Sequence, residues 1–239
     1  MNLPKKAAGE RTPGAARSRP TDRPRSRRNA LRISLVIVAA ALAVMGAALL
    51  GSRLSTPGGQ AEDAQVARPD SHQLSSAPAS APVLVEFLDF ECESCKAAHP
   101  FVEQLRQDYA GRVTFVIRYF PLPGHANSTP SALAAEAAAQ QGQLEAIHQR
   151  LYETQETWGE QPEATPEVFR SYAEAIGLDM AAYDAAVADP ATAARVQADF
   201  DDGIALGVTG TPTFFLDGDR LEAATTAEFR ARIDAALAD

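Results

Sequence analysis

Cys92 and Cys95 are the two cysteines of this 239-residue chain. They stand three apart in Phe90-Glu91-Cys92-Glu93-Ser94-Cys95-Lys96, directly after an apolar run that reads as a buried strand. Thiols at i and i+3 on a helix share one face and are close enough to bridge. With the helix beginning there, Cys92 lies at its N-terminus, where unpaired backbone N–H groups and the macrodipole favour a thiolate. Cys92 is therefore expected to be the nucleophile of a redox pair. A structural staple is the plainer reading, but closing a four-residue loop restrains the unfolded chain by roughly 2 kcal/mol, against about 5 for a 100-residue loop. Zinc is the other rival, because Cys92, Cys95 and His99 have ligand-like spacing. A closed site needs a fourth ligand and usually a second cysteine pair, and the chain has no second pair. No metal is expected, and His99 reads as a polar residue on the following helix.

The elements that must position the pair follow from periodicity. Residues 82–88, Pro-Val-Leu-Val-Glu-Phe-Leu, are apolar on both faces except for Glu86, as in a strand covered on both sides. Residues 89–91 turn the chain. A helix is predicted over about 92–109, with Phe101, Val102 and Leu105 at core spacing, Pro100 kinking it and Gly111 ending it. Residues 112–119 form the next strand, and strand–helix–strand with a short return implies a parallel pair.

Alanine-rich helices are then predicted over 130–141, 143–154, 166–176, 179–188 and 191–206, with Thr129 and Thr165 as N-caps, each before a proline. Residues 213–216 and 220–222 flank Asp217-Gly218-Asp219, a hairpin signal, and a last helix spans 226–237. The fold class is α/β, with a helical subdomain, about 128–207, inserted into a small sheet. Trp158, the single tryptophan, is expected to pack inside that insertion.

At this point the domain resembles the DsbA family of thioredoxin-fold thiol-disulfide oxidoreductases. The resemblance spans roughly residues 82–238. It rests on Asp89-Phe90-Glu91-Cys92-x-x-Cys95, Phe120-Pro121-Leu122, and Gly210-Thr211-Pro212-Thr213-Phe214-Phe215. It implies that Cys92 attacks or is attacked and that Cys95, more buried, resolves the mixed disulfide. It also implies that Pro212 is the family's cis-proline, in a loop offering backbone groups to an extended client peptide, with Thr211 facing the disulfide. Glu86 falls where many members carry a buried acid beneath the second cysteine; desolvation should raise its pKa, and the implied role is proton exchange with Cys95. His125 and His148 recur at similar places in the family without an arguable role.

The departure from the family lies in Glu93 and Ser94, which replace the Pro-His of strongly oxidising members. A carboxylate beside Cys92 opposes thiolate formation while Ser94 offers one hydrogen bond, so the Cys92 pKa is expected nearer about 7 than about 3.5. The resemblance implies no bound cofactor, exported cysteine-containing proteins as substrates, and a membrane redox partner that resets the pair. A reading from another class is a non-catalytic thioredoxin-like module that holds a client or a metal ion.

Charge and hydropathy place the domain. Residues 1–54 carry 11 Lys+Arg and 2 Asp+Glu, a net of +9; the remainder carries 11 basic and 29 acidic residues, a net of −18. Residues 33–51 are apolar apart from Ser34 and long enough as a helix to cross most of a bilayer core. The basic cluster before them stays in the cytoplasm by the positive-inside rule, which exports the chain beyond Arg53. The run is longer than a cleavable signal's apolar region, so an uncleaved anchor is expected over 30–53, although Ser26-Arg27-Arg28 also fits a twin-arginine signal. Residues 1–29 read as a disordered basic tail, 54–81 as a flexible linker and 82–239 as one domain. The acidic domain excludes a nucleic-acid partner, whose phosphates need basic groups.

Overall fold

The structure, a computed structural model, describes residues 64–238. The expected tail, the membrane span and the first part of the linker lie outside the described residues. No helix among those described is long and apolar enough to cross a membrane.

Among the described residues five strands form one mixed sheet in the order β1-β3-β2-β4-β5, comprising β1 (His72–Ser75), β2 (Val83–Leu88), β3 (Thr114–Tyr119), β4 (Thr213–Leu216) and β5 (Asp219–Leu221). β2 and β3 run parallel, Val83 opposite Thr114 through Leu88 opposite Tyr119, as the strand–helix–strand pattern requires. Their connection contains α1 (Glu93–Asp108). β4 pairs antiparallel with β2 and β5 with β4, and the two-residue turn between them holds Asp217 and Gly218 at φ 50° and 92°. Positive φ at both positions matches the right-handed strand twist, which is why an Asp-Gly pair sits there.

The helical insertion between β3 and β4 comprises α2 (Ser128–Ala139), α3 (Leu144–Trp158), α4 (Pro166–Ala175), α5 (Met180–Ala188) and α6 (Pro190–Ala205); α7 (Thr226–Ala236) closes the chain. The Asp179 side chain caps α5 through the amides of Ala181 and Ala182, and Asp189 caps α6 through that of Ala191. α2 begins before Pro130, with Asn127 rather than Thr129 at its cap position. A proline is tolerated there because the first-turn amides have no intrahelical acceptor to lose. α3 runs a turn longer than its expected end near residue 154, since Trp158 buries its ring against Phe169, centroids 4.8 Å apart.

Alternation along β2 sorts its side chains between two layers. Leu84 joins Val102, Leu105, Phe115, Phe229 and Ile233 beneath α1 and α7. Val85 and Phe87 join Val116, Phe120, Val208 and Phe215 on the other face. There α6 lies so close that a Cβ on Gly203 would stand 2.6 Å from Phe120 and 3.2 Å from Phe87. A third cluster runs from Leu88, Phe90 and Tyr119 into the insertion through Ile147, Leu151 and Trp158.

The linker expectation needs correction within residues 64–81. His72–Ser75 adds an antiparallel edge strand to β3, and the chain before it is fastened by charge. Fully buried Arg118 on β3 pairs with Asp199 and Asp202 of α6 and donates from Nη1 to the carbonyls of Gln65 and Val66 at 2.8 and 3.0 Å. Arg68 adds a second cation to Asp202, with Nη2 2.7 Å from Oδ1. Polar residues with no apolar alternation give such a strand no local signal; long-range pairing forms it.

Candidate active site

β2 ends at Leu88, and Asp89-Phe90-Glu91 carry the chain over the sheet edge into α1, with Cys92 as the residue before the first helical turn. Cys95 lies one turn in and is fully buried, whereas Cys92 is 7% exposed. The Cys92 thiol points at the loop before β4 and donates to the Thr211 carbonyl, 3.4 Å away. The Thr211–Pro212 peptide is cis. The structure thus brings Cys92, Cys95, Thr211 and Pro212 together from segments about 120 positions apart in sequence. Among the described residues the buried Thr211 hydroxyl finds no hydrogen-bond partner, yet it stands near enough to both sulfurs to favour their thiolates.

The two sulfurs are electrostatically unequal. A hydrogen bond from the Cys95 thiol lowers the Cys92 pKa to about 5, against the opposing effect of burial and with help from Thr211 and the first amides of α1. Burial pushes the Cys95 thiol well up, and being the donor to Cys92 pushes it further. Cys92 is more acidic than its neighbour Glu93 led us to expect. The Glu93 carboxyl is exposed and lies beside that of Glu160, so water screens it and the nearer donors decide the thiolate. Ser94 acts through its backbone, as one of the amides favouring the Cys92 thiolate.

Glu86 shares the face of β2 that carries Leu84 and Leu88, which puts its carboxyl under α1. Burial, with a smaller contribution from Glu103, raises its pKa to about 8, and its charge in turn raises that of Cys95.

Sequence reasoning missed the polar layer that holds the cysteine loop. Asp89, buried, accepts from the Leu122 amide at 3.0 Å, from Ser128 Oγ at 2.6 Å and from the Glu91 amide at 2.8 Å, and its carboxylate also contacts His125 Nδ1 at 2.9 Å. Glu91, equally buried, accepts from the amides of Asn127 at 2.6 Å and Glu160 at 3.0 Å. Gln155 Nε2 donates to the carbonyls of Phe90 and Cys92 at 2.7 and 3.0 Å. Acids at 89 and 91 inside an apolar run were the available signal, because buried carboxylates must find donors. Beside Pro212 a groove of about 480 Å³ opens, lined by Phe101, Phe214, Leu221 and Phe229 among others.

A buried, donor-poor thiol under an acidic, partly accessible one, both facing a cis-proline loop, defines a thioredoxin-type dithiol protein. The chain belongs to the thioredoxin family, whose model, described as Thioredoxin, matches residues 76–235. Its fold is that of the DsbA-like thiol-disulfide oxidoreductases. Oxidised BdbD from Bacillus subtilis superposes with a TM-score of 0.63 at 23% identity, covering 71% of this chain and 94% of that one. A thioredoxin-like oxidoreductase from Silicibacter pomeroyi gives 0.61 at 27% identity, covering 74% and 98%. Among curated relatives, the Na(+)/H(+) antiporter NhaA 3 of Salinispora tropica is 39% identical over 145 residues, 60% of this chain and 21% of that protein. The chain therefore spans about a fifth of the length of the curated relatives it matches.

Proposed function

We propose that the chain is an extracytoplasmic thiol-disulfide oxidoreductase that forms or exchanges disulfides in exported proteins through Cys92-Glu93-Ser94-Cys95. The observation that carries this reading is the inequality of the two sulfurs beside the Thr211 carbonyl. In the oxidising direction a client thiolate attacks Cys92 Sγ of the Cys92–Cys95 disulfide, the S–S bond breaks and Cys95 leaves as a thiolate. Its high proton affinity draws a proton from Glu86, which burial keeps protonated at neutral pH. A second client thiolate then displaces Cys92, leaving a client disulfide and a reduced pair. Two electrons have passed to the protein, and a membrane redox partner removes them; a partner that supplies electrons runs the steps in reverse. The client lies extended along the Thr211-Pro212 loop and over the apolar groove beside it. The apolar run at 33–51, its basic flank and the acidic remainder support a cytoplasmic N-terminus, a single membrane anchor and an exported domain.

The test is disulfide transfer by the full-length chain in detergent. With the pair oxidised, it should oxidise a reduced, unfolded protein stoichiometrically, and glutathione disulfide should make the reaction catalytic. Clients bound without any disulfide appearing would favour a binding module instead.

Glu86→Gln separates the acid's role from simple packing. The folded pKa is raised, so the folded chain holds this proton more firmly than the unfolded chain does. Stability from this group is complete below the ordinary carboxylate range and is lost as pH rises toward about 8. The variant should therefore gain on the order of 4 kcal/mol over the parent at pH 8 and nothing near pH 4, read from urea midpoints. It should also resolve mixed disulfides more slowly. Equal resolution rates in parent and variant would remove Glu86 from the chemistry.

A further inference from the structure

The inner face of α1 carries a second set of donor atoms, about one turn beyond Cys95. His99 and Glu103 are four apart and so project from one side of the helix, and His148 of α3 faces them. One ligand atom from each of the three lies within 4.8 Å of the others. The two imidazole rings meet edge to face with centroids 5.2 Å apart. His148 is buried, packed against Phe90 and Tyr152, and the His99 ring lies tilted over Tyr152 with centroids 4.7 Å apart.

We propose that His99, Glu103 and His148 bind a divalent first-row transition metal ion of the zinc class. Two imidazoles and a carboxylate make a donor set for zinc or a neighbouring ion rather than for calcium or magnesium, which take all-oxygen shells. At zinc-to-ligand distances of about 2.1 Å, tetrahedral donors stand about 3.4 Å apart. Closing from within 4.8 Å asks for shifts of about an ångström among the three donor atoms. Arg106 Nη1 donates to both Glu103 oxygens at 2.8 and 2.9 Å and Nη2 to the Leu74 carbonyl, which orients the carboxylate while leaving it lone pairs for an ion.

A cleft of about 340 Å³ opens onto the three residues, with space for an entering ion and its water. Its lining places the carboxylates of Glu103, Glu145 and Glu153 against the single guanidinium of Arg106, a net charge that favours a cation. The bound ion would fasten the helix that begins at the cysteines to the insertion. The set excludes both thiols and stands whether or not the redox reading holds.

The test uses Zn²⁺ alone with the full-length chain, purified without added histidines and carrying Cys92→Ser and Cys95→Ser so that thiols cannot bind it. Competition with a chromophoric chelator should show one equivalent bound, and the thermal midpoint should rise with zinc. His99→Asn and Glu103→Gln, both at partly exposed positions, should each weaken zinc binding by more than the 10- to 100-fold that loss of an outer-sphere partner costs. His125→Asn should leave it unchanged. Absence of zinc binding, or affinity unchanged in both His99→Asn and Glu103→Gln, would overturn the proposal.

Discussion

Cys95→Ser is expected to strand the protein on its clients as high-mass, reducible adducts in non-reducing gels, while Cys92→Ser traps almost nothing. The expectation follows from the inequality of the two sulfurs. Cys92, its pKa lowered to about 5, is largely thiolate at neutral pH and can attack a client disulfide. Release of the resulting adduct requires the buried second thiol, and serine cannot displace a sulfur. Both variants should lose disulfide-forming or reducing turnover down to the uncatalysed rate, and parent chain in the same cells should show few adducts. Adducts with Cys92→Ser instead would reverse the assignment of nucleophile and resolver. Two active variants that trap nothing would end the redox reading altogether.

Arg118→Met is expected to produce the largest loss of stability among the substitutions considered, about 3–5 kcal/mol. Arg118 has no exposed surface, and its guanidinium answers Asp199, Asp202 and two backbone carbonyls at once. Methionine fills the volume against Phe87 and leaves the carboxylates without this partner. Arg195 still reaches Asp199 and Arg68 still reaches Asp202, which places the effect toward the lower end of that range. For a domain of this size the thermal midpoint should fall by about 6–20 °C.

The pH dependence provides a second check. Burial alone would raise the Asp202 pKa, but Arg68 and Arg118 bring it below the ordinary value. The stability it contributes is present above the ordinary carboxylate range and lost as pH falls through the lowered value. Parent and Arg118→Met should therefore converge as pH drops below about 4. A loss under about 1 kcal/mol at pH 7 would show that the buried cation merely breaks even.

Features with a local cause were legible along the chain. The cysteine spacing, the apolar strand interrupted by Glu86, the Asp-Gly turn and the run of alanine-rich helices each state their element within a few residues. Features that depended on remote partners were not legible. The strand His72–Ser75 exists because β3 offers it an edge and Arg118 grips the chain before it. The carboxylates of Asp89 and Glu91 take their meaning from donors at Leu122, Asn127, Ser128 and Glu160, between 33 and 69 positions away. Glu93 misled for the related reason that adjacency in sequence says little about which charge a sulfur meets. Its carboxyl turns outward to Glu160, while the Cys95 thiol and Thr211 reach Cys92.

The ties between the cysteine loop and the insertion also fix the smallest piece of this protein able to stand alone. An engineer wishing to excise a bare sheet-and-helix core would join Phe120 to Val208 and discard the residues between. That cut removes Leu122, Asn127 and Ser128 from the loop's acids and Gln155 from the carbonyls of Phe90 and Cys92. Glu91 would then lose both of its amide donors and Asp89 all of its donors but the Glu91 amide, which removes most of what makes their burial tolerable. The insertion and the cysteine turn are therefore expected to melt and to exchange amide protons as one cooperative block.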